Sequence, residues 1–285
     1  MVRLPDYLKR NIIDNETTKT VRIILKENSL NTVCDGARCP NKNECYKKNT
    51  ATFLIMGNVC TRNCRYCNIT CEKPQPLDEN EPKNIAKAVK ELGLKYVVIT
   101  SVTRDDLPDG GAEHFANCLK EIKTLTPNVQ TEILTPDFKG DTSALDVIIQ
   151  AKPDVFNHNI EVVKRIFKTA RPQGNYKRSL EVLRYVKENS DITTKSGLMV
   201  GLGETFEDIE KTLTDLKNVG CDIITIGQYI APSKAHLPVE KYYTLEEFEQ
   251  LKTLAKKVGI MNYQIGPLVR SSYNAHETAI SQSQK

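Results

Sequence analysis

The sequence predicts an α/β protein, a partial (β/α)6 TIM-type barrel with N-terminal and C-terminal extensions. Short apolar runs alternate with helix-period stretches, six strand-then-helix units in series. That alternation calls for a parallel sheet with right-handed crossovers, and six units fall short of the eight that close a full barrel. The residues that follow the strand-like runs are polar, as expected if the C-terminal strand ends form a working rim.

Residues 1–50 read as an extension, 51–230 as the barrel and 231–285 as a C-terminal extension that closes it. In the first stretch, Leu4-Pro5-Asp6-Tyr7-Leu8 is an anchor-like start, and Val21, Ile24 and Leu25 share one helical face. Residues 34–50 contain Gly36, Pro40, Asn41 and Asn43, a turn-rich composition suited to folding backbone around a bound group. The run Ala51 to Gly57 is the first strand and leads directly into Cys60. A helix over 84–92 places Ile85, Ala86, Val89 and Leu92 on one face and stops at Gly93. Strands follow at 96–100, 129–134, 154–159, 193–200 and 222–228, with helices at 113–125, 142–150 and 180–187 among them. Thr205-Phe206-Glu207-Asp208 caps a helix that ends at Gly220, and Thr244-Leu245-Glu246-Glu247 is a capping box for a helix covering one end.

The net charge of +4 arises from 40 basic and 36 acidic residues spread without a run of five like charges, too mild a balance for nucleic acid. No stretch approaches the roughly 18 consecutive apolar residues that span a bilayer. Asp6, Asp14 and Glu16 disfavour a transit peptide. Neither nucleic acid nor membrane is expected as a partner, and reduced thiols without an export signal point to the cytoplasm.

Seven of the nine cysteines fall within the 38 residues from Cys34 to Cys71, in two groups. Cys60, Cys64 and Cys67 have three and then two residues between them, with Tyr66 just before the last. Four cysteines would close the coordination of an iron-sulfur cube or a tetrahedral zinc, whereas three leave one iron of a cube open for another ligand. Cys34, Cys39 and Cys45 form a second triad that also lacks an obvious fourth. A disulfide scaffold fits short secreted chains rather than this one. Zinc is the stronger rival, but only Cys64 and Cys67 have the Cys-x-x-Cys spacing and no second such arm exists. Cys71, Cys118 and Cys221 read as buried bystander thiols.

The polar rim consists of Thr100 to Gly111, Asn157 to Glu161 with Arg171, Gly201 to Glu204, and Gln228-Tyr229. Singly each has a plain explanation as a turn or a surface group. Gly201 and Gly203 would let backbone amides approach a ligand closely, although Gly-x-Gly alone is a weak signal.

The Cys60, Cys64, Cys67 spacing with Tyr66 resembles that of the radical S-adenosylmethionine (SAM) enzymes. The added Cys34, Cys39, Cys45 triad and the stretch Gly266-Pro267-Leu268-Val269-Arg270-Ser271-Ser272-Tyr273-Asn274-Ala275 narrow the resemblance to the lipoyl synthases, over about Leu4 to Tyr273. Asn274 stands where that family often has histidine or arginine. The resemblance implies two 4Fe-4S clusters. Cys60, Cys64 and Cys67 would hold the one that binds SAM, and Cys34, Cys39, Cys45 and Ser271 an auxiliary one. It further implies that Tyr66, Ser101, Asn157, Glu161 and Arg171, with Gly201, Gly203 and Glu204, neighbour cofactor or substrate, and that Arg270 assists Ser271 in catalysis.

The implied reaction is radical insertion of two sulfur atoms at C6 and C8 of an octanoyl chain carried on a lysine, the sulfur coming from the auxiliary cluster. Implied partners are octanoylated lipoyl carrier domains (2-oxoacid dehydrogenase E2 or glycine cleavage H protein) and an electron donor. Arg38, Lys42, Lys47 and Lys48 are candidates for steering an acidic carrier, against the plainer reading of a solvated charged face. A methylthiotransferase with two clusters and a zinc-stabilised binding module are the competing functions. The Arg270-Ser271-Ser272-Tyr273 stretch weighs against the first, and a colourless protein with stoichiometric zinc would favour the second.

Overall fold

The structure, a computed structural model, describes residues 4–9, 16–36, 39, 41–47 and 52–272. It divides into two compact units. One takes the described residues among 11–62 and 68–156, the other those among 1–10, 63–67 and 157–272.

The first unit opens with helix α1 (Glu16–Glu27), whose Val21 and Leu25 are buried as the helical face requires. Strand β1 (Asn31–Thr32) and the short helices α2 (Val33–Gly36) and α3 (Lys42–Lys47) carry the first cysteine triad. Strand β2 (Thr52–Ile55) is buried throughout. Next come the two-residue strands β3 (Val59–Cys60) and β4 (Thr70–Cys71), which pair with each other. Then α4 (Glu81–Glu91), β5 (Tyr96–Ser101), α5 (Ala112–Leu125), β6 (Gln130–Leu134), α6 (Thr142–Ala151) and β7 (Val155–Asn157) alternate as expected. Within this unit the strand order is β1-β2-β5-β6-β7, with β1 antiparallel to β2, and β2, β5 and β6 parallel. Ile85, Val89, Phe115 and Ile122 of α4 and α5 lie buried in its core with Ile99 and Ile133 of the sheet, removing from water the apolar area that drives such packing.

The second unit contains α7 (Lys164–Ala170), α8 (Tyr176–Asn189), β8 (Thr193–Val200), α9 (Phe206–Asn218), β9 (Ile223–Gln228), α10 (Leu245–Lys257) and β10 (Tyr263–Ile265). Strands β8, β9 and β10 run parallel in that order. Both α9 and α10 begin with reciprocal capping boxes, Thr205 with Asp208 and Thr244 with Glu247, each worth about 1 kcal/mol. Residues 4–9 belong to this unit. Leu8 is buried, and Tyr7 donates its hydroxyl hydrogen to the Tyr243 carbonyl at 2.6 Å.

Four elements differ from expectation. Helix α7 and strand β10 are too short to show a period, and β1 is a two-residue pairing that only the fold creates. The helix expected at 180–187 starts earlier, at Tyr176, where the Asn175 side chain accepts from the Arg178 amide and caps it. Among the described residues no helix is long and apolar enough to cross a membrane.

Candidate active site and cluster ligands

The first triad is folded by its own short-range bonds. The Cys39 amide donates to the Cys34 carbonyl at 3.2 Å, and the Cys45 amide to the Asn41 carbonyl at 2.9 Å. A polar knot braces the loop: Tyr46 donates to Asp35 Oδ2 at 2.7 Å, Thr32 Oγ1 donates to the same oxygen at 2.9 Å, and Lys42 Nζ donates to Asp35 Oδ1 at 2.6 Å. Burial works against the Asp35 charge, but the Lys42, Tyr46 and Thr32 hydrogen bonds outweigh it and hold this carboxyl below its usual range. Lys42 is thus paired with Asp35 and lies 6.0 Å from the Tyr46 ring centroid. Arg38, Lys48 and the Lys47 side chain lie outside the described residues. Burial pushes the Cys34 thiol up to about 12, and neighbouring Cys39 and Cys45 push the same way. A thiolate so disfavoured alone becomes favourable once it ligates a cationic metal group, so the donor set fits a cluster.

Cys60 sits on β3 in the first unit. Its Sγ accepts from the Thr103 amide at 3.3 Å and the Arg62 amide at 3.4 Å. Thr61 donates its amide and hydroxyl to the Thr103 carbonyl, and its hydroxyl accepts from the Asp105 amide. Arg62 forks onto Asp105 at 2.7 and 2.8 Å and reaches Asp137 at 2.7 Å. Burial opposes the guanidinium charge, but the Asp105 and Asp137 bonds more than offset it and hold Arg62 above its ordinary range. The Thr-Arg dipeptide after Cys60 therefore locks its loop to the residues that follow β5. Cys71 is exposed rather than buried, and stands directly opposite Cys60 in the β3–β4 register. Cys118 and Cys221 are buried as expected.

Cys64 and Cys67 belong to the second unit. The Arg65 amide donates to the Ala170 carbonyl at 2.9 Å, and the Leu237 amide to the Arg65 carbonyl at 3.0 Å. His236 Nε2 donates to the Cys67 carbonyl at 3.0 Å while Nδ1 meets Ser233 Oγ at 2.9 Å. The carbonyl can only accept, so Nε2 carries the hydrogen. Cysteine spacing gave no hint of His236, which lies 169 positions from Cys67.

Tyr66 lies within electrostatic reach of Glu161, Arg171, Cys64 and Cys67, and Glu161 within reach of Arg171. Enclosure pushes the Tyr66 hydroxyl well up, with Glu161 adding to the rise and Arg171 opposing it. The Glu161 carboxyl is enclosed too, which raises it, against the Arg171 charge and a hydrogen bond from Asn159. Glu161 has φ +70° and bridges Leu198 of β8, a strained conformation of the kind held at working sites. Arg171 donates to the Asn159 carbonyl at 3.2 Å and lies over the Phe167 ring at 5.2 Å.

Asn157 is fully buried at the end of β7, and Ser101 ends β5 with a buried Oγ that has no hydrogen-bond partner. The Glu204 carboxylate accepts from the Gly201 amide at 2.5 Å and the Leu202 amide at 2.9 Å, so those amides serve the turn itself, and Gly203 follows it with φ +95°. Gln228 is likewise spent internally, donating to the Val200, Tyr229 and Lys241 carbonyls. Ser271 Oγ accepts from Asn159 Nδ2 at 3.3 Å, and Arg270 Nη1 donates to the Val269 carbonyl at 2.7 Å. Tyr273, Asn274 and Ala275 lie outside the described residues.

All nine cysteines are free thiols. Among the described residues no three His, Cys, Asp or Glu side chains converge on one metal-ion position. A four-iron cube distributes its ligands over separate irons, so its thiolates need not converge on a point.

The Radical SAM superfamily profile matches residues 54–216. A lipoyl synthase of Caldicellulosiruptor saccharolyticus is 53% identical over 275 residues, covering 96% of this chain and 96% of that protein. The chain belongs to the lipoyl synthase family. Lipoyl synthases of Caldanaerobacter subterraneus (50% identical, 96% of each chain) and Alkaliphilus metalliredigens (49%, 96% of this chain and 95% of the other) agree. Among solved structures, HydG, a maturase of the FeFe-hydrogenase, matches with a TM-score of 0.60 at 16% identity, over 95% of this chain and 61% of its own. Methylornithine synthase matches with a TM-score of 0.55 at 14% identity, over 87% and 81%. Those likenesses are of fold, and they bear out the TIM-type α/β barrel read from the strand-helix alternation. As a lipoyl synthase, the chain is a radical SAM sulfurtransferase that works with 4Fe-4S chemistry and S-adenosylmethionine.

Proposed function

We propose that this lipoyl synthase inserts two sulfur atoms at C6 and C8 of an octanoyl group amide-linked to a lysine of a lipoyl carrier domain, 2-oxoacid dehydrogenase E2 or glycine cleavage H protein, in the cytoplasm with a separate electron donor. Cys60, Cys64 and Cys67 hold the cluster that binds SAM. Cys34, Cys39, Cys45 and Ser271 would hold an auxiliary cluster, which would supply the sulfur, with Arg270 beside the serine. The carrying observation is the Cys34 triad, three reduced thiols braced by the Asp35 knot, with Cys34 buried where a bare thiolate is disfavoured.

When bound, the clusters and SAM supply the electron, the hydrogen-abstracting radical and the sulfur. The chain's own part is to hold and orient. Arg62, Asp105 and Asp137 fix the Cys60 loop, and His236 and Leu237 fix the Cys64–Cys67 loop. Tyr66, Ser101, Asn157, Glu161 and Arg171, with Gly201, Gly203 and Glu204, form the surroundings of SAM and the acyl chain. The partnerless Ser101 Oγ supports this, since a buried hydroxyl left without a bond costs free energy that a ligand would recover. In functional terms residues 1–50 serve the auxiliary cluster, 51–230 the radical chemistry and 231–285 the serine ligand.

The test is anaerobic incubation of the reconstituted protein with reductant, SAM and an octanoyl-lysyl peptide, followed by mass measurement. A peptide heavier by two sulfurs is expected. No sulfur-bearing peptide from protein loaded with iron and sulfide would overturn the reading.

A further inference from the structure

Met56, the residue that follows β2, has φ +66°, and Gly57 comes next with φ +89°. Two successive left-handed residues turn the chain sharply from β2 toward β3 and Cys60. For glycine that region is open, but for methionine it is strained and persists only where the surroundings hold it. Those surroundings are specific. Glu81 Oε2 accepts from the Met56 amide at 2.8 Å, and the same oxygen accepts from His114 Nε2 at 2.6 Å. Glu81 and His114 are both buried, as are Met56 and Arg104, whose Nη1 lies 3.5 Å from the Met56 carbonyl. At Gly111, the N-cap of α5, a Cβ would come within 2.3 Å of Met56 Sδ. The first residue of α4 and the first turn of α5 thus both close on this one peptide unit.

A buried carboxylate is an expensive way to satisfy one backbone amide. Its position, on the left-handed residue four before Cys60, suits control of where that cysteine stands.

We propose that Glu81, backed by His114, is a positioning residue for SAM binding: it holds Met56 left-handed so that the Cys60 loop presents its cluster in the geometry the cofactor needs. The inference rests on the assignment of Cys60 as a ligand of the SAM-binding cluster. Glu81 itself touches neither cluster nor cofactor in this account.

The experiment uses anaerobically reconstituted, reduced full-length enzyme, titrated with SAM while its EPR spectrum is followed, with iron and sulfide content and melting temperature measured on the same samples. Glu81→Gln retains an oxygen for the Met56 amide and is expected to titrate like the wild type. Glu81→Ala is expected to bind the same iron yet need about tenfold more SAM for half the spectral change, the scale of a modest misplacement. Glu81→Asp withdraws the oxygen by one methylene and should be shifted in the same direction, which keeps the test decisive should the alanine variant not fold. A wild-type titration for Glu81→Asp or Glu81→Ala, or equal shifts for Gln and Asp, overturns the proposal: a purely structural role would lower melting temperature without separating them. A wild-type enzyme whose spectrum does not respond to SAM at all would instead count against the cluster assignment.

Discussion

The side-chain amide of Asn159 donates to Ser271 Oγ at 3.3 Å and to Glu161 Oε1 at 3.2 Å, and so ties the serine proposed as a cluster ligand to a carboxylate of the rim. Both bonds use its NH2 group, which a carboxylate lacks. Asn159→Asp would remove both donations and set a second negative charge beside Glu161. We expect this variant to keep cleaving SAM while its lipoyl product falls by about tenfold, the loss of roughly 1.4 kcal/mol of positioning. Quantifying 5'-deoxyadenosine and lipoyl peptide in the same reaction checks this, and parallel losses of the two would argue against it.

As the proposed ligand, Ser271 would offer iron a hard, basic oxygen where clusters ordinarily take soft thiolate. A weaker corner would suit the sulfur-donating role proposed for that cluster. Ser271→Ala and Ser271→Cys should each retain iron and SAM cleavage yet make little lipoyl product, the cysteine variant holding its cluster more firmly. Wild-type product from both would remove the serine from the mechanism and direct attention to Ser272.

The stretch that carries Ser271 is seated on β9 through Gly227. A Cβ at Gly227 would fall 2.0 Å from the Val269 carbonyl oxygen, a clash with backbone rather than with a flexible side chain. Gly227→Ala should therefore lift residues 266–270 off the strand, at a cost of about 1–3 kcal/mol. Lower thermal stability, with SAM cleavage surviving better than sulfur insertion, is the expected result; unchanged insertion would contradict the seating argument.

Asp137 is fully buried against Arg62, whose Nη1 already lacks a hydrogen-bond partner. Because Asp105 would still pair Arg62, removing Asp137 costs the scale of a charged hydrogen bond, about 1.5–3 kcal/mol. Asp137→Ala should destabilise the protein on that scale and, through the Arg62 tie to the Cys60 loop, lower the iron retained by a variant that lacks Cys34, Cys39 and Cys45. Urea unfolding and iron analysis of the two proteins test both halves.

Much of the frame was legible because its signals are local. The run Tyr96-Val97-Val98-Ile99 can only be a buried strand, and the Thr205 and Thr244 caps announce their helices. The cysteine spacings were legible for the same reason. Strand β10, Tyr263-Gln264-Ile265, was not, since three residues acquire strand geometry only by lying beside β9. Asn159 stood in a run already marked as rim, but its partners could not be read from it, and His236 gave no signal because its bond to Cys67 depends on tertiary folding. Cys71 was misjudged because composition speaks for average burial, and nothing in its local sequence marks that both residues of β4 are exposed.

The hydrogen bond from Tyr7 to Tyr243 joins residues 236 positions apart. On a ribosome adding about 5–20 residues per second, Tyr7 is made some 10–50 s before the Tyr243 carbonyl it will bond exists. For that interval this tie of the second unit cannot form, so the unit closes only after synthesis has passed Tyr243.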